Sequence, residues 1–158
     1  MSAIPVPDLC RMRNTVILVL FLSAIAGKAQ QSGFGLGIVI GEPTGISFKS
    51  WIGGNKAIDG AVAWSLRKPE SFHLHADMLW HNFDLMSVST GKLGLYYGVG
   101  GRIRFQNDPQ LGVRIPVGLN YLFEGAPVDV FLEVVPILDL LPATDVEFNA
   151  ALGARYFF

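Results

Sequence analysis

The sequence predicts an all-β fold, an eight-stranded antiparallel up-and-down transmembrane β-barrel, and three observations carry that prediction. Beyond Gln30 the chain is a succession of segments in which apolar residues alternate with small or polar ones, separated by clusters of Gly, Pro, Asn and Asp. Every charged residue inside those segments falls on one parity, and none falls on the other. The final segment, Val146 to Phe158, sets Val146, Phe148, Ala150, Leu152, Ala154, Tyr156 and Phe158 on one face against Glu147, Asn149, Ala151, Gly153, Arg155 and Phe157 on the other. One face suits lipid and the other suits the packed lumen of a narrow barrel.

Eight such segments follow one another. Gly33 to Gly41 alternates Phe34, Leu36, Ile38 and Ile40 with Gly35, Gly37 and Val39, and turns at Glu42-Pro43. Thr44 to Ile52 places Ile46, Phe48 and Ile52 opposite Ser47, Lys49 and Trp51, before the tight turn Gly53-Gly54-Asn55. Ala57 to Leu66 sets Val62, Trp64 and Leu66 against Asp59, Ala61, Ala63 and Ser65, and Arg67 to Glu70 closes it. Phe72 to Phe83 carries His73, His75, Asp77, Leu79 and His81 on its second face.

After the longest connection, Asp84 to Gly91, the fifth segment runs Lys92 to Phe105, with Lys92, Gly94, Tyr96, Gly98, Gly100, Arg102 and Arg104 on the inner parity. Leu111 to Phe123 alternates Val113, Ile115, Val117, Leu119 and Tyr121 with Gly112, Arg114, Pro116, Gly118 and Asn120. Val128 to Leu138 shows Val130, Leu132 and Val134 against Asp129, Phe131, Glu133 and Val135, and a loop around Leu141-Pro142-Ala143 leads to the last segment. Each reaches the ~9–11 residues of a tilted strand that crosses a bilayer, and their number is even. Pro116 and Pro136 cannot donate to a ladder, so a bulge is expected at each.

The 158 residues leave room for one domain, and the first 29 read as a cleaved signal, with the barrel over residues 30–158. Arg11 and Arg13 precede an apolar run, Thr15 to Ala26, of about 12 residues against the ~20 that a spanning helix needs. Cleavage is expected after Ala29, with Ala24-Ile25-Ala26 as a second site and Met12 as a candidate start. Cys10 precedes the run, so no cysteine remains afterwards and disulfide and thiol chemistry are excluded. Removing Asp8, Arg11, Arg13 and Lys28 takes away a net charge of +2, so the formal charge moves from −1 to −3. Nothing basic invites nucleic acid.

The inner parity holds Lys49, Lys92, Arg102, Arg104, Arg114 and Arg155 against Asp59, Asp77, Asp129, Glu133 and Glu147. A charge facing lipid at mid-depth costs roughly 2–4 kcal/mol, and a narrow lumen holds charges only in pairs. With His73, His75 and His81 these residues form the expected lumen network. Trp64, Trp80, Tyr97, Tyr121, Tyr156 and Phe158 fall near strand ends, as interfacial girdles require. The competing soluble reading is a lipocalin-like barrel with the apolar face inward around a greasy ligand. It demands an exterior rich in Lys, Glu, Thr and Gln, whereas the second face here is mostly Gly, Ala and a few matched charges.

The stretches Arg114 to Phe123, Phe131 to Pro142 and Ala151 to Phe158 resemble a family of small bacterial outer-membrane β-barrel proteins of unassigned function and, more loosely, the eight-stranded OmpX and OmpA barrels. The resemblance covers nearly all of the chain after the signal. It implies a cell outer membrane location and surrounding lipid, and brings no catalytic residues. Leu152, Ala154, Tyr156 and Phe158 resemble the C-terminal signal read by the barrel-assembly machinery. Unlike the OmpX type, the connections are short at both ends, which argues against adhesion by protruding strands.

Candidate chemistry is weaker. His73, His75, Asp77 and His81 share a face, but alternate strand positions are nearly 7 Å apart, too far for a metal site without neighbouring ligands. Hydrogen-bonded lumen histidines are the preferred reading. A lipid-acting hydrolase needs a serine and histidine at the lipid-facing rim, whereas the histidines face inward and no His-x-Ser pair occurs. No cofactor is implied. The expectation is a monomeric barrel of structural or envelope-associated role, not an enzyme, with a narrow pore as the alternative. Glu42-Pro43, Arg67 to Ser71, Gln106 to Gln110 and Leu140 to Asp145 are expected on the outside.

Overall fold

The computed structural model describes residues 32–65, 71–106 and 108–158. The signal-peptide reading of residues 1–29 and the connection Arg67 to Glu70 lie outside them. The strands are β1 (Phe34–Gly41), β2 (Thr44–Gly53), β3 (Lys56–Trp64), β4 (Phe72–Asn82), β5 (Lys92–Phe105), β6 (Gln110–Arg114), β7 (Val117–Leu122), β8 (Val128–Leu141) and β9 (Asp145–Phe157). Each pairs antiparallel with its neighbour, β4 pairs with β5, and β9 returns to β1. Because β6 and β7 both lie between β5 and β8, they are two halves of one strand, and the ring has eight members.

The two prolines explain the division without a bulge. Ile115 donates to the Pro136 carbonyl (3.0 Å) and Gly98 to the Pro116 carbonyl (2.8 Å). In each pair the return bond is missing, because proline has no N–H. Yet Val117 faces Val134 and Arg114 faces Ile137, three residues along both strands, so no residue is inserted at Pro116. The β8–β9 register likewise runs unbroken through Pro136 opposite Phe148. The expected bulges are therefore absent there. Register shifts occur instead at Trp51/Gly53 and at Leu111/Gly112, near strand ends.

Closure tilts the strands. Phe34, Ser50, Ile58, Met78 and Val99 are successive partners from β1 to β5, and the row continues through Ile115 and Pro136 to Phe148 on β9. Phe148 lies beyond Ala151, the partner of Gly41 at the far end of β1, so a row leaving the start of β1 returns past its end. That stagger is the shear that a closed ring of tilted strands requires.

The core is made of the opposite material to that of a water-soluble domain. Its largest fully covered side chains include Arg102, Arg104, Arg114, Arg155 and Lys49, while Leu36, Ile40, Leu132, Phe148 and Leu152 are exposed. Leu119 and Leu132 are 37% and 52% exposed, against 1% for Arg114 and 7% for Glu133. The apolar face does not line the interior, which removes the greasy cavity of the lipocalin-like alternative. Two apolar clusters fill the lumen. Val39, Ala61, Leu79, Tyr96, Phe131 and Ala151 form one, and Trp51, Ala57, Leu122 and Phe157, with Phe83 against them, form the other at the rim where the chain ends.

Small residues permit this filling. A Cβ on Gly37 would lie 1.9 Å from the Ala154 carbonyl oxygen and 2.6 Å from the Arg155 Cα, whereas one on Gly101, on the outer face, meets nothing nearer than 3.8 Å. Gly37→Ala is expected to destabilise the barrel by at least the ~1–3 kcal/mol of an overpacked core. Gly101→Ala should stay within about 0.5 kcal/mol of the parent. Denaturant midpoints of the two variants, refolded side by side in the same detergent, check the pair.

Candidate functional site

The interior ion pairs are the chemical feature of the molecule, and strand alternation puts them there. Inward residues on neighbouring strands stand side by side, while partners across the lumen are reached by long Arg, Lys and Glu side chains. Three groups result.

In the first, Arg155 on β9 donates from Nε to Asp129 Oδ1 (3.0 Å) and from Nη1 to Asp59 Oδ2 (2.9 Å) and Ser47 Oγ (3.4 Å). Its guanidinium also lies 4.0 Å from the centre of the Phe131 ring. Lys49 Nζ lies 3.5 Å from Asp129 Oδ2, donates to Asn120 Oδ1 (3.0 Å), and sits 4.3 Å from the Trp51 ring centre. Lys49 is also 2.8 Å from His81 Nε2. An ammonium is donor only, so His81 accepts on Nε2 and carries its proton on Nδ1, which lies 3.3 Å from the Asn55 carbonyl. That ring is packed among Trp51, Phe83 and Tyr96.

In the second group, Arg114 Nε lies 3.1 and 3.0 Å from the two oxygens of Asp77, and Nη2 is 3.7 Å from Glu133 Oε1. Tyr96 donates its hydroxyl proton to Glu133 Oε2 (2.9 Å). In the third, nearer the other rim, Arg102 holds Asp139 through Nε (3.2 Å) and Nη2 (2.7 Å) and reaches Glu147 (2.5 Å). Arg104 donates to the same Glu147 oxygen (2.6 Å) and to Gln110 (2.8 Å).

The structure thus brings together Lys49, Asp59, Asp129, Arg155 and His81, then Asp77, Arg114 and Glu133, then Arg102, Arg104 and Glu147. Lys92 differs from the rest: it is exposed at the start of β5, on the rim and outside the covered lumen. His73 and His75 are buried and lie directly across β4–β5 from Arg104 and Arg102. Two guanidiniums beside two imidazoles oppose a bound cation. Among the described residues no group of three His, Cys, Asp or Glu is arranged to hold a metal ion. His73 Nε2 lies 3.4 Å from Ser71 Oγ, and both residues are covered, at 1% and 2%.

Several members were missed in the sequence. The seventh segment as read from the sequence ends at Leu138 and so omits Asp139 from the network; β8 in fact continues to Leu141, and Asp139 points inward. Its parity with Asp129 and Glu133 was the available signal. Asn120, Ser47 and Tyr96 lay on the correct face but carry no charge, and Gln110 sits just before the expected strand.

The aromatic residues gather at two levels. Trp64, Phe72 and Phe105 pack edge to edge or tilted at one rim. At the other, Trp80 stacks on Tyr97, Tyr121 meets Phe123, and Tyr156 meets Phe158. Leu152, Ala154, Tyr156 and Phe158 lie on the outer face of β9, while Phe157 is 1% exposed inside. Phe158 donates its backbone N–H to Phe34 (2.9 Å), fastening the last residue to the closing strand pair.

These features define a class: an antiparallel barrel of eight strands in the outer-membrane transmembrane style, polar within and apolar without. Comparison with solved structures agrees on the fold. The chain is similar to the N-terminal β-barrel domain of OprF from Pseudomonas aeruginosa, with a TM-score of 0.65 and 14% identity over 81% of this chain and 98% of that one. It also matches Neisserial surface protein A, NspA, at a TM-score of 0.43 and 12% identity over 79% of this chain and 93% of that one. No protein-family model matches the sequence, and no curated protein is similar to it.

Removing one member of the first group leaves buried charge without its partner. Arg155→Met strands Asp59, leaves Asp129 only Lys49 and Asn120, and should cost about 3–5 kcal/mol, whereas Lys56→Ala, at the exposed first residue of β3, should stay within about 0.5 kcal/mol. Equilibrium unfolding in detergent micelles measures both.

Proposed function

We propose that the chain is an integral β-barrel of a bacterial outer membrane with a structural or envelope-associated role and no catalytic chemistry. One observation carries the reading: the outward face of the ring is exposed and apolar while the charges are covered inside. In water such an exterior is a large adhesive surface; in hydrocarbon it is the favourable arrangement, and the closed ring leaves no strand edge unpaired. The two aromatic levels fit the two membrane interfaces.

Export by a cleaved segment over residues 1–29 supplies the chain to the envelope. Leu152, Ala154, Tyr156 and Phe158, presented outward on β9, suit recognition by the barrel-assembly machinery. With the chain ends on the periplasmic side, the turns at Glu42-Pro43, around Ser71, at Gln106 to Gln110 and after Leu141 face outward. The protein works as a monomer, because closure satisfies its strands within one chain. The covered lumen favours this structural role over a pore.

Heat-modifiable gel migration of protein extracted from outer membranes, together with planar-bilayer recordings, tests the reading. The expected result is a compact band that shifts on boiling and no steady conductance. Recovery in the soluble fraction without detergent overturns the location, and regular conductance steps overturn the filled lumen. Leu132→Arg should weaken folding into lipid by about 2–4 kcal/mol, the cost of an arginine at mid-depth.

A further inference from the structure

The charges of the lumen do not balance at its centre. Around the outer rim Arg102 and Arg104 face Asp139 and Glu147, two against two. Deeper in, Lys49, Arg114 and Arg155 face Asp59, Asp77, Asp129 and Glu133, three cations against four carboxylates. Asp59 and Asp77 stand directly opposite each other on β3 and β4, where like charges repel. Asp129 is met by Lys49, Arg155 and Asn120, Asp59 by Arg155, and Asp77 through both oxygens by Arg114.

Glu133 is the least compensated. Its contacts are the Tyr96 hydroxyl and a guanidinium nitrogen at 3.7 Å, beyond hydrogen-bond length. That same Arg114 Nη2 is buried without a hydrogen-bond partner. The charged and titratable groups around Glu133 are Asp59 on β3, Asp77 on β4, Tyr96 on β5, Arg114 on β6 and Arg155 on β9, of which only Tyr96 and Arg114 touch it, and His75 on β4 lies in the field of Arg114. Its neighbours across the ladders, Gly118 and Ala151, bring no charge.

An uncompensated carboxylate in a buried site is neutralised by taking up a proton or a cation. The described residues form no metal cage. We propose that the centre of the lumen is a proton-binding site: the folded barrel retains one proton on the Glu133–Asp77 pair at neutral pH. The unfolded chain, with ordinary carboxylates, gives that proton up. Folding therefore takes up one proton, and the site makes the barrel sensitive to alkali at its centre.

Infrared spectroscopy of the folded full chain in detergent reads the proton directly, as the carbonyl-stretch band of a protonated carboxylic acid at neutral pH. One such band is expected in the wild type, lost in Glu133→Gln or in Asp77→Asn and retained in Asp129→Asn. A folded wild type without the band overturns the proposal, whether or not the variants fold; so does a band that survives both substitutions. A second readout follows from linkage. Relative to Glu133→Gln, the wild-type folding constant should fall about tenfold per pH unit between about pH 5 and neutrality, because only the wild type binds this proton on folding. The ratio cancels the titration of Lys49 and the histidines, and a flat ratio overturns the idea.

Discussion

A buried charge survives only beside its opposite, and that constraint organises this barrel. Each cation of the covered lumen is answered from another strand: Lys49 on β2 by Asp129 on β8, Arg155 on β9 by Asp59 on β3, Arg114 on β6 by Asp77 on β4, and Arg102 on β5 by Asp139 on β8. Arg114–Asp77 and Arg102–Asp139 reach over Gly100 and Gly112 of the intervening strand, whereas Lys49–Asp129 and Arg155–Asp59 span the β1–β9 seam and so form only once the ring has closed. Closure in turn depends on the small inner residues. Gly37 lets the β1–β9 pair approach, and Gly100, whose Cβ would lie 2.0 Å from Asp77 Oδ1, leaves room for the carboxylate beside it.

Ion pairs and apolar clusters share the interior in a consistent way. Phe131 and Trp51 offer ring faces to Arg155 and Lys49, and Tyr96 joins its cluster to Glu133 through its hydroxyl. The aromatics exclude water while leaving each cation an electron-rich surface. At the rim where the chain ends, Trp51, Leu122 and Phe157 close the space below Lys49 and Asp129.

Much of this was legible in the sequence because side-chain direction in a strand has a period of two, and a misassigned face is visible at once as a charge in the wrong row. The inward and outward sets of every strand could be written down from parity alone. The connections were harder. Pro136 suggested a bulge and the segment was ended at Leu138, so Asp139 was lost; the unbroken register from Arg114 opposite Ile137 to Val117 opposite Val134 shows that this ladder tolerates the one donor missing at Pro136. Lys92 obeyed the parity but not the depth, since it stands at the first residue of β5 on the rim. Which carboxylate meets which cation was not legible, because strand tilt decides depth and tilt is a property of the whole ring.

The network serves register more plainly than it serves stability. Replacing a buried ion pair with well-packed hydrophobic side chains is often neutral or favourable, so these pairs are not the strongest available way to fill a lumen. Their effect on misfolded alternatives is larger. A slip of one residue in β9 would turn Arg155 outward; in lipid an arginine at mid-depth carries a penalty of roughly 2–4 kcal/mol, and the same slip in β5 would turn Arg102 and Arg104 outward together, nearer the interface, at about 0–1 kcal/mol each. In the native register the same two arginines end on Asp139 and Glu147. An all-apolar lumen would lack that asymmetry, since leucines tolerate either face in hydrocarbon. With lipid outside, polarity inside is the feature that still distinguishes one face of a strand from the other.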